Sequence, residues 1–164
     1  MFPALPALAA QWFLAPATVI CLLAAFNDLK RMKLPNPVVL ALVAVYVVMG
    51  PFVLPMEQYL WGFAHGAVMY LVGMFAFAFL GVGAGDGKFA AAMSLFIPLA
   101  DAGVVLTLFA AMVIVAFITH RLARAIGTIR RATPDWTSWE HKKFPLGLAL
   151  APTLILYLAI VSFR

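Results

Sequence analysis

Few side chains in this 164-residue sequence can move protons, hold a metal or act as a nucleophile. There are six acids, three histidines and one cysteine, Cys21. A lone cysteine makes neither an intrachain disulfide nor a thiolate metal cluster. His65, His120 and His141 stand on separate segments without an H-x-x-x-H spacing. No metal site and no cofactor are therefore expected. Ser94 and Ser162 have no histidine near them in sequence. The glycine-rich stretch "GVGAGDGK" follows neither a phosphate-loop spacing nor a dinucleotide-binding one. Carboxylate chemistry remains. Two carboxyls held close in a medium of low dielectric cannot easily both ionise, so they share a proton. One can then activate water while the other protonates a peptide carbonyl oxygen.

Which acids could pair depends on the elements that carry them. Hydrophobic residues make up 66% of the sequence and charged residues 10%, and the mean hydropathy is +1.06. Soluble domains carry about 25% charged residues, so this chain is expected in a bilayer as an all-α integral membrane protein. Six apolar segments are long enough to be read as spans, at about 9–27, 37–55, 59–80, 87–100, 102–120 and 144–163. They predict a six-transmembrane-helix bundle that occupies residues 1–164 as a single membrane-embedded domain. "MFPALPALAAQWF" lacks the positive start of a signal peptide, so the first segment is read as a retained span.

Loop charge orients the bundle. Lys30, Arg31 and Lys33 follow the first span, Lys88 lies between the third and fourth, and Arg121, Arg124, Arg130, Arg131, Lys142 and Lys143 lie between the fifth and sixth. Ten of the eleven basic residues thus share one side, and only Arg164 falls on the other. The positive-inside rule makes the shared side cytosolic and puts the N- and C-termini outside. The net charge of +5 is then an anchor to anionic lipid rather than a nucleic-acid footprint. Trp136 and Trp139 suit an interfacial loop.

In this frame Glu57 and Asp101 sit at short outside turns, and Asp135 and Glu140 in the long cytosolic loop. Asp28, in "AAFNDLKRMKLPN", ends the first span, and Asp86 begins the fourth. These two alone abut spans on the cytosolic side, at matching depth. Each has a plain structural alternative. Asp86 could cap its helix, and Asp28 could pair with Lys30 or Arg31. From Asp86 to Ala100 a helix measures roughly 20 Å, short against a hydrocarbon core of about 30 Å, which would draw Asp86 below the surface. The glycines around it would let a substrate backbone come close.

The motifs now resemble those of a known family. Gly83-Ala84-Gly85-Asp86 is a G-x-G-D motif, with Lys88 two residues on. Asp28 followed by basic residues and Leu34-Pro35-Asn36 resembles the first motif of the prepilin peptidases. Phe144-Pro145-Leu146-Gly147 resembles their late Pro-x-Gly segment. The chain looks most like the short stand-alone form of tight-adherence (Tad/Flp) pilus systems, CpaA/TadV-like. The resemblance implies a membrane aspartyl endopeptidase of the G-x-G-D type in the cytoplasmic (inner) membrane. Such an enzyme removes basic leaders from prepilin or pseudopilin substrates at the cytosolic face. It implies Asp28 and Asp86 as catalytic residues, with Gly83, Gly85, Lys88, Pro35 and Asn36 close to the substrate. Gly87 departs from the larger residue usual there, which implies a looser backbone beside Asp86. The N-terminal methyltransferase region of larger relatives is not expected.

Two other readings stay open: a small transporter or channel with an acidic relay, and a non-catalytic subunit of a pilus or secretion machine. Gly62 and Gly66 form a G-x-x-x-G pair that permits close helix contact, within the chain or in a homo-oligomer. His65 is read as a hydrogen-bonded packing residue away from the acids. Arg121, Arg124 and Arg131 would share a lipid-anchoring face if the fifth span continued as one helix.

Overall fold

The computed structural model describes residues 4–141 and 143–163. Every regular element among them is helical. In chain order these are α1 (Ala7–Arg31), α2 (Asn36–Val53), α3 (Met56–Leu80), α4 (Ala84–Ser94), α5 (Ala102–Ala125), α6 (Gly127–Ala132) and α7 (Gly147–Ser162). Single 3-10 turns occur at Leu99–Asp101 and Thr137–Trp139.

Four helices are long and apolar enough to cross a membrane: α1, α2, α3 and the unit Leu99–Ala125. The six apolar segments read from the sequence correspond to α1–α5 and α7, but two of them fall short. With 16 residues α7 measures about 24 Å, and with 11 residues α4 only about 16 Å. The segment expected to run from 87 to 100 ends as a helix at Ser94. There the Ser94 hydroxyl donates back to the Ala91 carbonyl at 2.8 Å. The chain then turns, with Phe96 N–H on Met93 O and Ile97 N–H on Ser94 O. Pro98 supplies no N–H and disfavours a helical residue before it.

The core follows from side-chain size. On α1 the buried residues Ala10, Phe13, Ala17, Cys21, Ala24 and Asp28 recur every three or four positions, making one helical stripe of mostly small groups. Apolar surface gains nothing by leaving lipid for protein, so packing of this kind is what joins helices in a bilayer. The stripe lies against α7, whose Leu150, Leu154, Tyr157 and Leu158 are buried. In contrast, α3 buries only Gly62 among its 25 residues. It packs chiefly on α4. Gly73 meets Gly87 at a close backbone approach: a Cβ on Gly73 would stand 2.8 Å from the Gly87 Cα. Gly87 is buried there, so the small residue is a packing requirement and not a looseness beside Asp86.

Four other readings are sharpened or revised by the structure. Gly62 and Gly66 do face close neighbours, but within the chain: a Cβ on Gly62 would collide with the Tyr46 hydroxyl, and one on Gly66 would meet Leu95. Of the two uses left open, the pair serves contact within the chain. Asp101 stands at the turn Leu99–Asp101, as expected, but its side chain is withdrawn from the surface. It is buried and accepts the backbone N–H of Ala4 at 2.7 Å and of Leu5 at 3.1 Å, and the Tyr157 hydroxyl at 2.6 Å. It ties the start of the chain to the last helix. The fifth helix breaks at Ile126, which is extended, so Arg131 sits on the separate α6. His65 stacks on Trp61, 6.3 Å between centroids, but its buried Nδ1 has no hydrogen-bond partner.

Candidate active site

Asp28 reaches its place because it continues the buried stripe of α1. The helix closes just beyond it. Met32 adopts a left-handed conformation (φ 52°) and donates its N–H to the Asp28 carbonyl at 2.9 Å. A non-glycine residue in that region is uncommon. The turn it makes leads through Pro35 into α2, so Lys33–Asn36 fold over the end of α1. Asp28 is 4% exposed. Its Oδ2 accepts the Gly147 N–H at 2.7 Å. Gly147 is the first residue of α7, where backbone N–H groups have no partner inside the helix. The carboxylate fills that vacancy, at the helix end where negative charge is favoured. The approach needs glycine: a Cβ on Gly147 would stand 2.9 Å from Oδ2.

Asp86 is placed by the turn between α3 and α4. Gly81 closes α3 in the left-handed region at φ 69°, which costs glycine little. Gly83 is the extended residue before α4, and Asp86 lies in the first turn. Its carboxylate folds back on the Gly83 backbone; a Cβ there would stand 2.5 Å from Oδ2. The turn is held from outside as well, because Lys143 donates to the Gly81 carbonyl at 2.8 Å. The Lys143 ammonium is also within coulombic reach of Asp86.

Asp28 and Asp86 line one cleft of about 490 Å³ and lie within coulombic reach of each other. Gly83, Gly85, Pro35 and Asn36 line the same cleft. Gly85 does not simply offer room to a ligand, since a Cβ on it would stand 3.0 Å from that of Leu34. It seats the start of α4 against the loop after α1. Lys88 lies outside the cleft. It donates to Asn36 Oδ1 at 3.2 Å and thereby links α4 to α2. Of the residues that shape the site, Gly73 and Lys143 carry no motif and were not singled out by sequence. The one available sign for Gly73 was a glycine within an otherwise bulky apolar run.

Chemically, the cleft offers two carboxyls from different helices, backbone on two sides and access from the polar end of the bundle. A substrate peptide bond and a water could be held between an acid and a base there. Among the described residues no three His, Cys, Asp or Glu side chains converge as a metal site.

The helices and the cleft define a multi-helix membrane protein with two carboxylates from separate helices in one pocket. A family model described as the type IV leader peptidase family matches residues 15–120, the stretch that carries both acids. The chain belongs to that family, whose members are peptidases that act on prepilin leaders. A search of curated proteins and a search of solved structures each returned no match. The matched stretch ends before α7, so the Gly147 contact to Asp28 lies outside it.

Proposed function

We propose that this chain is an aspartyl endopeptidase in which Asp28 and Asp86 jointly activate a water. It would cut the basic leader from prepilin-type proteins at the cytosolic face of the inner membrane. The observation that carries the reading is the meeting of the two acids in one cleft, although 58 residues separate them in sequence. Structural contacts do not use up either carboxyl. Asp28 spends one oxygen on a helix start, and Asp86 folds onto its own turn, which leaves carboxyl oxygens for chemistry.

The reading includes a single peptidase unit over residues 1–164, six membrane passages and both termini outside. Its nearest kind is the stand-alone peptidase of tight-adherence pilus systems. In this scheme Gly83 and Gly85 shape the turn that carries Asp86, while Pro35 and Asn36 wall the cleft. Lys88 holds Asn36 in place. The short α4 and α7 would reach both surfaces only where the bilayer thins or water enters the bundle.

The experiment is incubation of the protein, reconstituted in lipid, with a prepilin-type polypeptide, read by mass spectrometry. Asp28→Asn and Asp86→Asn each preserve shape but cannot shuttle the proton. Leader release by the natural protein and by neither variant is expected. Full activity in either purified variant removes that residue from the mechanism. Thr107→Val, at an exposed position on α5 away from the cleft, should cleave normally.

A further inference from the structure

We propose that a groove walled by α2 and α3 and floored by α4 seats the apolar helix that follows the scissile bond of the substrate. This rests on the leader-peptidase reading above. Although α2 and α3 are consecutive, they scarcely touch; both lean on α4, which is wedged between them. Over α4 this leaves an apolar groove of about 450 Å³. Leu40 and Val43 form one wall, Phe63, Ala67 and Tyr70 the other, and Ala91 and Ala92 the floor.

Position identifies the occupant. Asn36 lines both this groove and the cleft that holds Asp28 and Asp86. The mouth of the groove therefore opens beside the carboxylates. From there the groove follows α2 inward from Asn36 to Val43, about 10 Å. Leu95 lines its inner end and also a second cavity of about 410 Å³ that reaches Gly62 and Glu57. From Tyr70 to Glu57 the combined lane measures about 20 Å along α3, most of a hydrocarbon core of about 30 Å. A helix lying in it would enter the cleft with the residue that precedes its first turn.

The surface suits a helix better than a lipid tail. Two alanines on the floor and Ala67 on the wall let a backbone come close, as small residues do at helix contacts in bilayers. The walls carry aromatic and branched side chains that can interdigitate with an apolar helix. Leu40 is 63% exposed and Tyr70 45%, so neither is engaged by the chain's own core.

The test uses the full chain in lipid nanodiscs with a polypeptide carrying a basic leader and an apolar segment of about 20 residues. Ala67 is exposed, so Ala67→Trp fills the groove without crowding the core. It should raise KM at least tenfold with kcat within twofold, because the obstruction acts on docking. Val72→Trp, exposed on α3 but turned about 140° from Ala67, should change neither. In the Asp86→Asn background, a photo-reactive side chain at 67 should capture the apolar segment of the substrate, and one at 72 should not. An unchanged KM, or capture of lipid alone or of a second copy of the chain, overturns the groove assignment. Cleavage that needs both acids but ignores Ala67→Trp would sink the groove and leave the peptidase reading intact. Capture at 67 without any leader release by the natural protein would do the reverse.

Discussion

Gly73→Ala is the smallest change that should disturb the site from a distance. The added Cβ would stand 2.8 Å from the Gly87 Cα and 3.1 Å from the Gly87 carbonyl carbon and oxygen, where ordinary contact is 3.4–4 Å. All three are backbone atoms, which cannot rotate away. To restore contact, α3 and α4 must separate by about 0.6 to 1.2 Å, and overpacking of this kind costs about 1–3 kcal/mol. Gly87 directly follows Asp86, so the displacement passes to the carboxylate almost undiminished. Misplacing a catalytic group by about 1 Å can cost about 100-fold in rate. Leader cleavage by Gly73→Ala should therefore fall about 10- to 100-fold in kcat, with a lowered unfolding temperature. Gly87→Ala should behave alike. The double variant should lose less than the two losses combined, because the first methyl has already opened the gap that the second needs. Cleavage rates on a prepilin-type polypeptide, together with thermal unfolding in detergent, measure all three. A Gly73→Ala protein with natural kcat and stability would show that α4 can move without carrying Asp86 out of register, and the positioning argument would fail.

Asp101→Asn should destabilise the fold by about 1.5–3 kcal/mol, the range for hydrogen bonds to a charged group. An amide would confront two backbone N–H groups and the Tyr157 hydroxyl with fewer acceptor sites. Tyr157→Phe should cost less, and thermal unfolding in detergent would rank the two. Topology can be read by thiol labelling in a Cys21→Ser background. Glu140→Cys, at an exposed position, should label only from the cytosolic side, and Glu57→Cys only from outside; the reverse would overturn the orientation drawn from loop charge. Moving the scissile pair four to seven residues into the apolar segment of the substrate should abolish cleavage. Those bonds would lie about 5–10 Å deeper, and reaching them would expose unpaired backbone groups in hydrocarbon. Mass spectrometry of a register-shifted series shows which substrates are cut.

The sequence made some of this legible because it was local. Loop charges, the helix ends and the two acids beside them could be located one after another. What stayed hidden depends on encounters between distant segments. Apolar character cannot distinguish a helix from a tight turn inside a bilayer, so the end of α4 at Ser94 was missed despite the warning of Pro98. Asp101 looked like a turn acid because its partners, Ala4, Leu5 and Tyr157, are recruited from both extremes of the chain. The glycines near Asp86 suggested room for a substrate. Gly85 and Gly87 instead admit Leu34 and Gly73, and nothing in their own neighbourhood names those partners.

The bond between Gly147 and Asp28 spans 119 positions of sequence. During synthesis the first helix is made long before the start of α7 exists. Until that last helix arrives, the buried carboxylate of Asp28 lacks its backbone donor and the stripe on α1 lacks its main partner. The residues that line the cleft all fall within positions 27–86, so they are complete in sequence while one of the two acids is still unanchored. If Asp28 acts as proposed, a nascent chain would be inert toward the proteins being made beside it until the final helix has docked.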